Sequence, residues 1–255
     1  MSFEACAALV EKADPLRFRA AMAAPVPARR VLFPLYAFNV EVARAPWVTQ
    51  EAMIAEMRLQ WWRDALEELG KGGAVRRHEV VDALADVLDA EGAACLDGLV
   101  AARRWDVYKD GFEDAAHFDS YIDATSGNLM WTAARLAGDA DQGVVRDFAY
   151  GVGVANILQA MPALEAQSRK PLVDGTPEGV AALAADALKR LDAAAKGRKM
   201  VSSDAGAALI AGYHARPILK AAIRDPRLVA ADALDFNPAR DSLRFANVSL
   251  RGWWR

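Results

Sequence analysis

Two cysteines in 255 residues, Cys6 and Cys95, are too few and too poorly spaced for a disulfide framework or a thiolate metal site, and their scarcity fits a reducing cytoplasm. A basic excess is missing too. The formal charge is −3 and the pI near 5.7, the reverse of the cationic surface that nucleic acid requires. No Pro/Gly/Ser-rich linker, internal repeat or low-complexity tract divides the chain, so one domain over 1–255 is expected. The N-terminus has no basic segment and meets Glu4 at once, so no secretory signal is read there. Alternating β-branched runs are almost absent. The uncharged run from Phe148 to Leu164 contains Asn156, Gln159 and Pro162 and is closed by Glu165, which suits a buried core helix better than a membrane span.

What is present is helical periodicity nearly everywhere, so the expected class is all-α. From Met53 to Leu69, Glu56, Gln60, Arg63 and Glu67 form a polar stripe, with Met57, Trp61, Ala65 and Leu69 expected on the opposite, buried side. Further helices are expected near 79–90, 94–109, 115–137, 143–161, 178–195, 204–224 and 239–254, eight or nine in all. Turn chemistry separates them: Gly70, Gly72 and Gly73 after the tryptophan helix, Gly138-Asp139, the cap and first-turn proline of Thr176-Pro177-Glu178, and the stop at Asp225-Pro226.

Several familiar signals carry no chemistry. Asp82, Asp86 and Asp89 lie opposite Val80, Leu84, Val87 and Leu88, the pattern of a solvated face. Gly151-Val152-Gly153 has no third glycine and no preceding strand, so close helix packing explains it better than a dinucleotide loop. His78, His117 and His214 show no nucleophile or ligand spacing.

One stretch is informative. Tyr36-Ala37-Phe38-Asn39-Val40-Glu41-Val42-Ala43-Arg44-Ala45, followed by Met57-Arg58-Leu59-Gln60-Trp61-Trp62-Arg63, resembles the first active-site helices of the squalene/phytoene synthase family. The resemblance implies an isoprenoid-synthase-like helical bundle around a central cavity, with two aspartate clusters holding magnesium against a prenyl diphosphate. In this chain Ala43, Arg44 and Trp47 stand at the first cluster. The second cluster follows an Asn-Ile-Leu-Arg-Asp pattern in the family, and Asn156-Ile157-Leu158-Gln159-Ala160 matches it up to the charged residues, with Ala160 and Leu164 where the aspartates belong. Between them, Phe118, Tyr121, Thr125 and Leu129 share a helical face, and Gly127 resembles a glycine that opens the family's pocket. Tyr121 reads as the wall of an isoprenoid-sized cavity or, more plainly, as an ordinary core tyrosine.

Arg44 reverses the charge at the first cluster; a guanidinium binds phosphate directly but does not hold magnesium. Arg58 is expected in the apolar arc beside Trp61 and Trp62, with Glu41 as its partner in a buried pair or an anion-handling remnant. Asp119 and Asp123, four apart, form the one substitute metal pair worth testing, against the plainer reading of an exposed helix edge. The C-terminal residues 239–255 form an amphipathic helix if Leu243, Ala246, Leu250, Trp253 and Trp254 share a stripe flanked by Arg240, Arg244, Arg251 and Arg255. That edge, through Arg244, Arg251, Trp253 and Trp254, either meets lipid or a partner, or docks on the body of the domain.

The nearest likeness is to a family branch that contains the mitochondrial complex I assembly factor and its bacterial relatives, a branch that also lacks the aspartates. It implies a non-catalytic protein that binds an isoprenoid or lipid, contacts a respiratory complex I subunit, and sits in the cytoplasm or on the inner face of the cytoplasmic membrane. The candidate ligand-binding residues are Tyr36, Asn39, Glu41, Arg44, Arg58, Trp61, Tyr121, Thr125, Gly127 and Asn156, with no cofactor expected. Two other readings stay open: a prenyl transferase that condenses isoprenoid diphosphates head-to-head with magnesium at a displaced site, and an isoprenoid, quinone or lipid carrier.

Overall fold

The computed structural model describes residues 2–49, 51–234 and 237–255, and among them the regular elements are helices, with a lone antiparallel bridge between Ala140 and Val201. The fold class is all-α, as the periodicity requires. In chain order the α-helices are α1 (Ser2–Ala13), α2 (Pro15–Ala23), α3 (Val26–Arg44), α4 (Ala52–Lys71), α5 (Glu79–Ala85), α6 (Ala90–Arg103) and α7 (Ala115–Ile122). The second half holds α8 (Asn128–Ala137), α9 (Gln142–Ala166), α10 (Pro177–Lys196), α11 (Ser203–Leu209), α12 (Ala215–Arg224), α13 (Arg227–Ala230) and α14 (Pro238–Arg251).

The described residues hold more helices than the eight or nine expected, because short polar side chains cut periodic stretches into capped pieces. Asp14 accepts from the Arg17 N–H at 3.0 Å to start α2, and Asp89 accepts from Gly92 at 2.8 Å to start α6. The expected helix at 79–90 therefore stops at Ala85. Ser202 accepts from the Ala205 N–H at 3.2 Å to open α11, and a tight turn at Ile210–Gly212 divides the expected helix at 204–224. Gly212 is required there, since a Cβ would run into Val152 and the Phe148 ring. A π-helical turn at Asp123–Gly127 interrupts 115–137, and the helix expected at 94–109 ends at Arg103 before a 3₁₀ turn. Boundaries written in local chemistry fall where expected: α4 ends at Gly72 with φ 67°, Thr176 caps α10 through Gly179 at 3.1 Å, and α12 stops at Arg224.

The core gathers around α9, whose residues 148–155 are buried without interruption. Helix α10 lies so close that a Cβ on Gly151 would strike the Leu191 side chain and come within 3.1 Å of the Ala187 carbonyl. No helix among the described residues is long and apolar enough to cross a membrane.

Two expected faces are corrected. The buried stripe of α4 is Ala55, Leu59, Trp62, Leu66 and Leu69, joined by Ala65, while Met57 is 66% exposed and Trp61 half-buried. Either of the adjacent tryptophans satisfies the periodicity, and Phe38 selects Trp62 by an edge contact at 5.3 Å. Helix α14 ends at Arg251, and Gly252, at φ 112°, turns the chain back so that Trp253 packs on Phe148 at 5.0 Å and against Gly206. Leu243 and Leu250 point outward instead, so the expected stripe is split. Of the four residues expected to meet lipid or a partner, Trp253 is buried, Trp254 and Arg244 are half-buried, and Arg251 is exposed.

Candidate functional site

Three helical faces enclose a cavity of about 700 Å³, a size typical of a pocket for one organic ligand, roughly 300–1,000 Å³. Helix α3 contributes Tyr36, Asn39, Val40, Ala43 and Arg44, whose spacing of three and four stacks them along one side. Helix α9 contributes Val152, Asn156, Ile157, Ala160 and Leu164 by the same rule. The third wall runs from Tyr121 through the π turn to Leu129, and Thr125 inside that turn donates its hydroxyl to the Tyr121 carbonyl at 2.6 Å. Such turns bend a helix where a site needs its side chains re-aimed.

The positions that resemble the two lost aspartate clusters line this one space: Ala43, Arg44 and Trp47 from the α3 side, Ala160 and Leu164 from α9. None offers the oxygen donors that magnesium requires. The carboxylates on the lining are already engaged. Asp14 holds Arg17 at 2.5 Å, and Asp106 accepts from Arg103 at 2.9 Å and from the Tyr121 hydroxyl at 2.7 Å. Among the described residues no group of three or more His, Cys, Asp or Glu is placed to hold a metal ion. The residues present do not fit a magnesium centre.

Asp119 and Asp123 do not replace the lost clusters, because they lie off the cavity. Asp119 accepts from the Tyr150 hydroxyl at 2.6 Å and from Arg190 at 3.4 Å, while Asp123 accepts from Arg146 at 2.6 Å. Gly127 serves that ion pair rather than opening the pocket: a Cβ there would lie 2.7 Å from Asp123 Oδ1 and 3.2 Å from Arg146. Glu41, Arg58 and Trp61 belong to a separate shallow groove with Trp62 and His78. The expected pairing of Arg58 with Glu41 is not formed, since the rotated stripe of α4 leaves Arg58 exposed and Glu41 reaches Arg44 instead, at 4.0 Å.

Of the expected ligand residues, Tyr36, Asn39, Arg44, Tyr121, Thr125 and Asn156 come together on the lining. Asn39 is 8% exposed and hydrogen-bonds to no described residue, so its amide is available to whatever enters the cavity. Tyr36 donates to the Ala208 carbonyl at 3.3 Å under the Arg17 guanidinium. Burial, the main influence on the Tyr36 and Tyr121 phenols, raises both far above their usual range, so neither ionises.

Arg17, Arg103, Asp106, Arg169 and His214 also line the cavity and were not anticipated. Asp14–Arg17 and Arg103–Asp106 are spaced three apart, which in sequence is indistinguishable from a surface pair. Burial, reinforced by the nearby Arg17 charge, pushes His214 down to about 4. Nε2 of the neutral ring lies 3.0 Å from Asn156 Oδ1, within hydrogen-bond reach. Four arginines therefore face two aspartates across an otherwise largely apolar lining. The arrangement can take an apolar chain with an anionic or polar head and needs no metal to do so.

The squalene/phytoene synthase family model matches residues 10–172. A Drosophila melanogaster protein described as an NADH dehydrogenase (ubiquinone) complex I, assembly factor 6 homolog is 28% identical over 167 residues, covering 62% of this chain. The chain spans 50% of the length of that curated relative. Among solved structures, a dehydrosqualene synthase in complex with ligand superposes with a TM-score of 0.77 over 98% of this chain and 95% of its own, at 13% identity. A squalene synthase from Alicyclobacillus acidocaldarius gives 0.73 over 88% and 93%, at 17% identity. At these identities the superpositions speak for the fold alone.

Proposed function

The chain belongs to the squalene/phytoene synthase family, and from that premise we propose that it works by binding rather than by prenyl transfer, as an assembly factor for respiratory complex I. The observation that carries the proposal is the pair of facing cavity walls in which Ala43, Arg44 and Trp47 oppose Ala160 and Leu164. Diphosphate departure needs a hard cation at that spot, and no oxygen cluster is there to hold one. The relative described as a complex I assembly factor homolog supports the assembly role.

In this reading the cavity holds one amphiphile, an isoprenoid or another lipid. Arg17 and Arg44 offer guanidinium donors to an anionic head, Asn39 offers an amide, and the apolar faces of α3 and α9 bury the tail. The protein acts on the inner face of the cytoplasmic membrane, next to the complex being built. The apolar lining also favours a second reading, a lipid carrier with no stable protein partner. A prenyl transferase built on Glu41, Asp119 or Asp123 has no such support, since none of the three lines the cavity.

The test is twofold. Purified protein given farnesyl or geranylgeranyl diphosphate with magnesium is expected to release no diphosphate beside an active synthase control, and steady turnover would overturn the binding reading. Deleting the gene is expected to lower the level of assembled complex I. Normal complex levels, with lipid copurifying on the protein, would favour the carrier.

A further inference from the structure

Trp47 belongs both to the cavity lining and to the outer surface, with 42% of its side chain exposed. Arg169 lies over its ring at 4.6 Å while donating to the Tyr108 carbonyl at 3.0 Å. Beyond Trp47 the surface stays apolar. Val48 and Ile54 are exposed, and Met53 and Met57, one turn apart on α4, are 76% and 66% exposed. Across the cavity, Leu16 is both lining and exposed. Helix α4 already buries its stripe through Leu59 and Trp62, so the outward methionines add nothing to the core.

The charges beside this lip lean positive. Glu56 is neutralised by Arg104 at 2.9 Å, and Glu41 by Arg44 at 4.0 Å, leaving Glu51 and, beside Leu164, Glu165 as exposed carboxylates against the cations Arg58, Arg169 and Lys170. Arg58 is exposed with no ion pair among the described residues, and Lys170 is exposed beside Arg169. Indole and thioether side chains interleaved with free cations suit the headgroup layer of an anionic bilayer. Continuity with the cavity favours a bilayer over a protein groove, because an amphiphile with an apolar tail enters and leaves most readily where its tail stays out of water.

We infer that the lip formed by Trp47, Val48, Met53, Ile54 and Met57 docks on an anionic lipid surface, so that the cavity opens into the headgroup layer. The inference rests on the cavity being a ligand site and moves the membrane contact away from the C-terminal edge, where Trp253 is buried.

Flotation of the full chain with mixed phosphatidylcholine–phosphatidylglycerol vesicles tests it. The wild type is expected to float, and Met53→Ser combined with Met57→Ser to lower the partition coefficient by about tenfold, with Trp47→Ser lowering it further. Both methionines are exposed and off the cavity, so circular dichroism and uptake of a fluorescent single-chain phosphate amphiphile should not change in the double variant. Leu243→Ser with Leu250→Ser, on the outer face of α14, should float like the wild type. Probe uptake without flotation of the wild type would overturn the docking surface alone. So would loss of flotation in the α14 variant but not the lip variant, or a lip variant that floats normally and instead loses a copurifying protein. Flotation that depends on the lip without any probe uptake would support the docking surface and overturn the ligand reading of the cavity.

Discussion

Asn39 concentrates the functional question in one side chain. The residue is buried, yet its amide faces the open space of a ligand-sized cavity, where water or a ligand can meet its donors and acceptor. Asn39→Leu is expected to change the unfolding free energy by less than about 1 kcal/mol while weakening uptake of a phosphate-headed amphiphile by roughly tenfold. Unchanged uptake would mean that the amide meets only water. The motif containing Asn39 was legible because its residues are local in sequence. Arg103, Asp106 and Tyr121 were a different case, since their triangle at 2.7–2.9 Å forms between separate elements and no spacing in the chain announces it. Arg58 failed for a related reason: its inward placement followed from the phase assigned to α4, and a rotation of one residue moved it to the surface.

At the level of elements, the boundaries that fall on schedule are chemical ones, the stops at Gly72 and Pro226 and the start at Thr176. The helices that broke early did so before the side-chain cap Asp89 and at the tight turn Ile210–Gly212, which periodicity alone overlooks. The contact between α9 and α10 shows how small residues set helix separation. Gly151→Ala is expected to lower stability by about 1–3 kcal/mol, because the added methyl meets the Ala187 backbone as well as Leu191, and backbone yields poorly. Gly73→Ala, with nothing within 4 Å of the new atom, should be nearly neutral. Equal melting temperatures for the two variants would mean that the helices can slide apart without loss.

For the whole molecule, all-α architecture and a central cavity were both readable, the first from periodicity and the second through family resemblance, whereas the direction in which the cavity opens depended on which side chains of α4 and α14 faced outward. Stability as a function of pH is a property of this scale. His214 folds with its ring held near 4 against an ordinary 6.5, so between those values the unfolded chain takes up a proton that the folded chain refuses. Stability from this group is complete above about pH 6.5, falls by about 3 kcal/mol as the pH drops to about 4, and changes little below that. Urea unfolding at about pH 7 and 4.5 should show a smaller acid loss in His214→Gln than in the wild type; equal losses would place the acid sensitivity elsewhere. The buried helix α9 also bears on how the molecule is made. Ile122 and Ser126 on one side of it are made earlier, but Leu191, Gly212 and Trp253 are synthesised after it, so a growing chain that has just emitted Phe148–Leu164 holds an uncharged segment packed on one side only until those partners emerge. A chaperone that binds nascent apolar segments is expected to stay on α9 until those later partners have emerged.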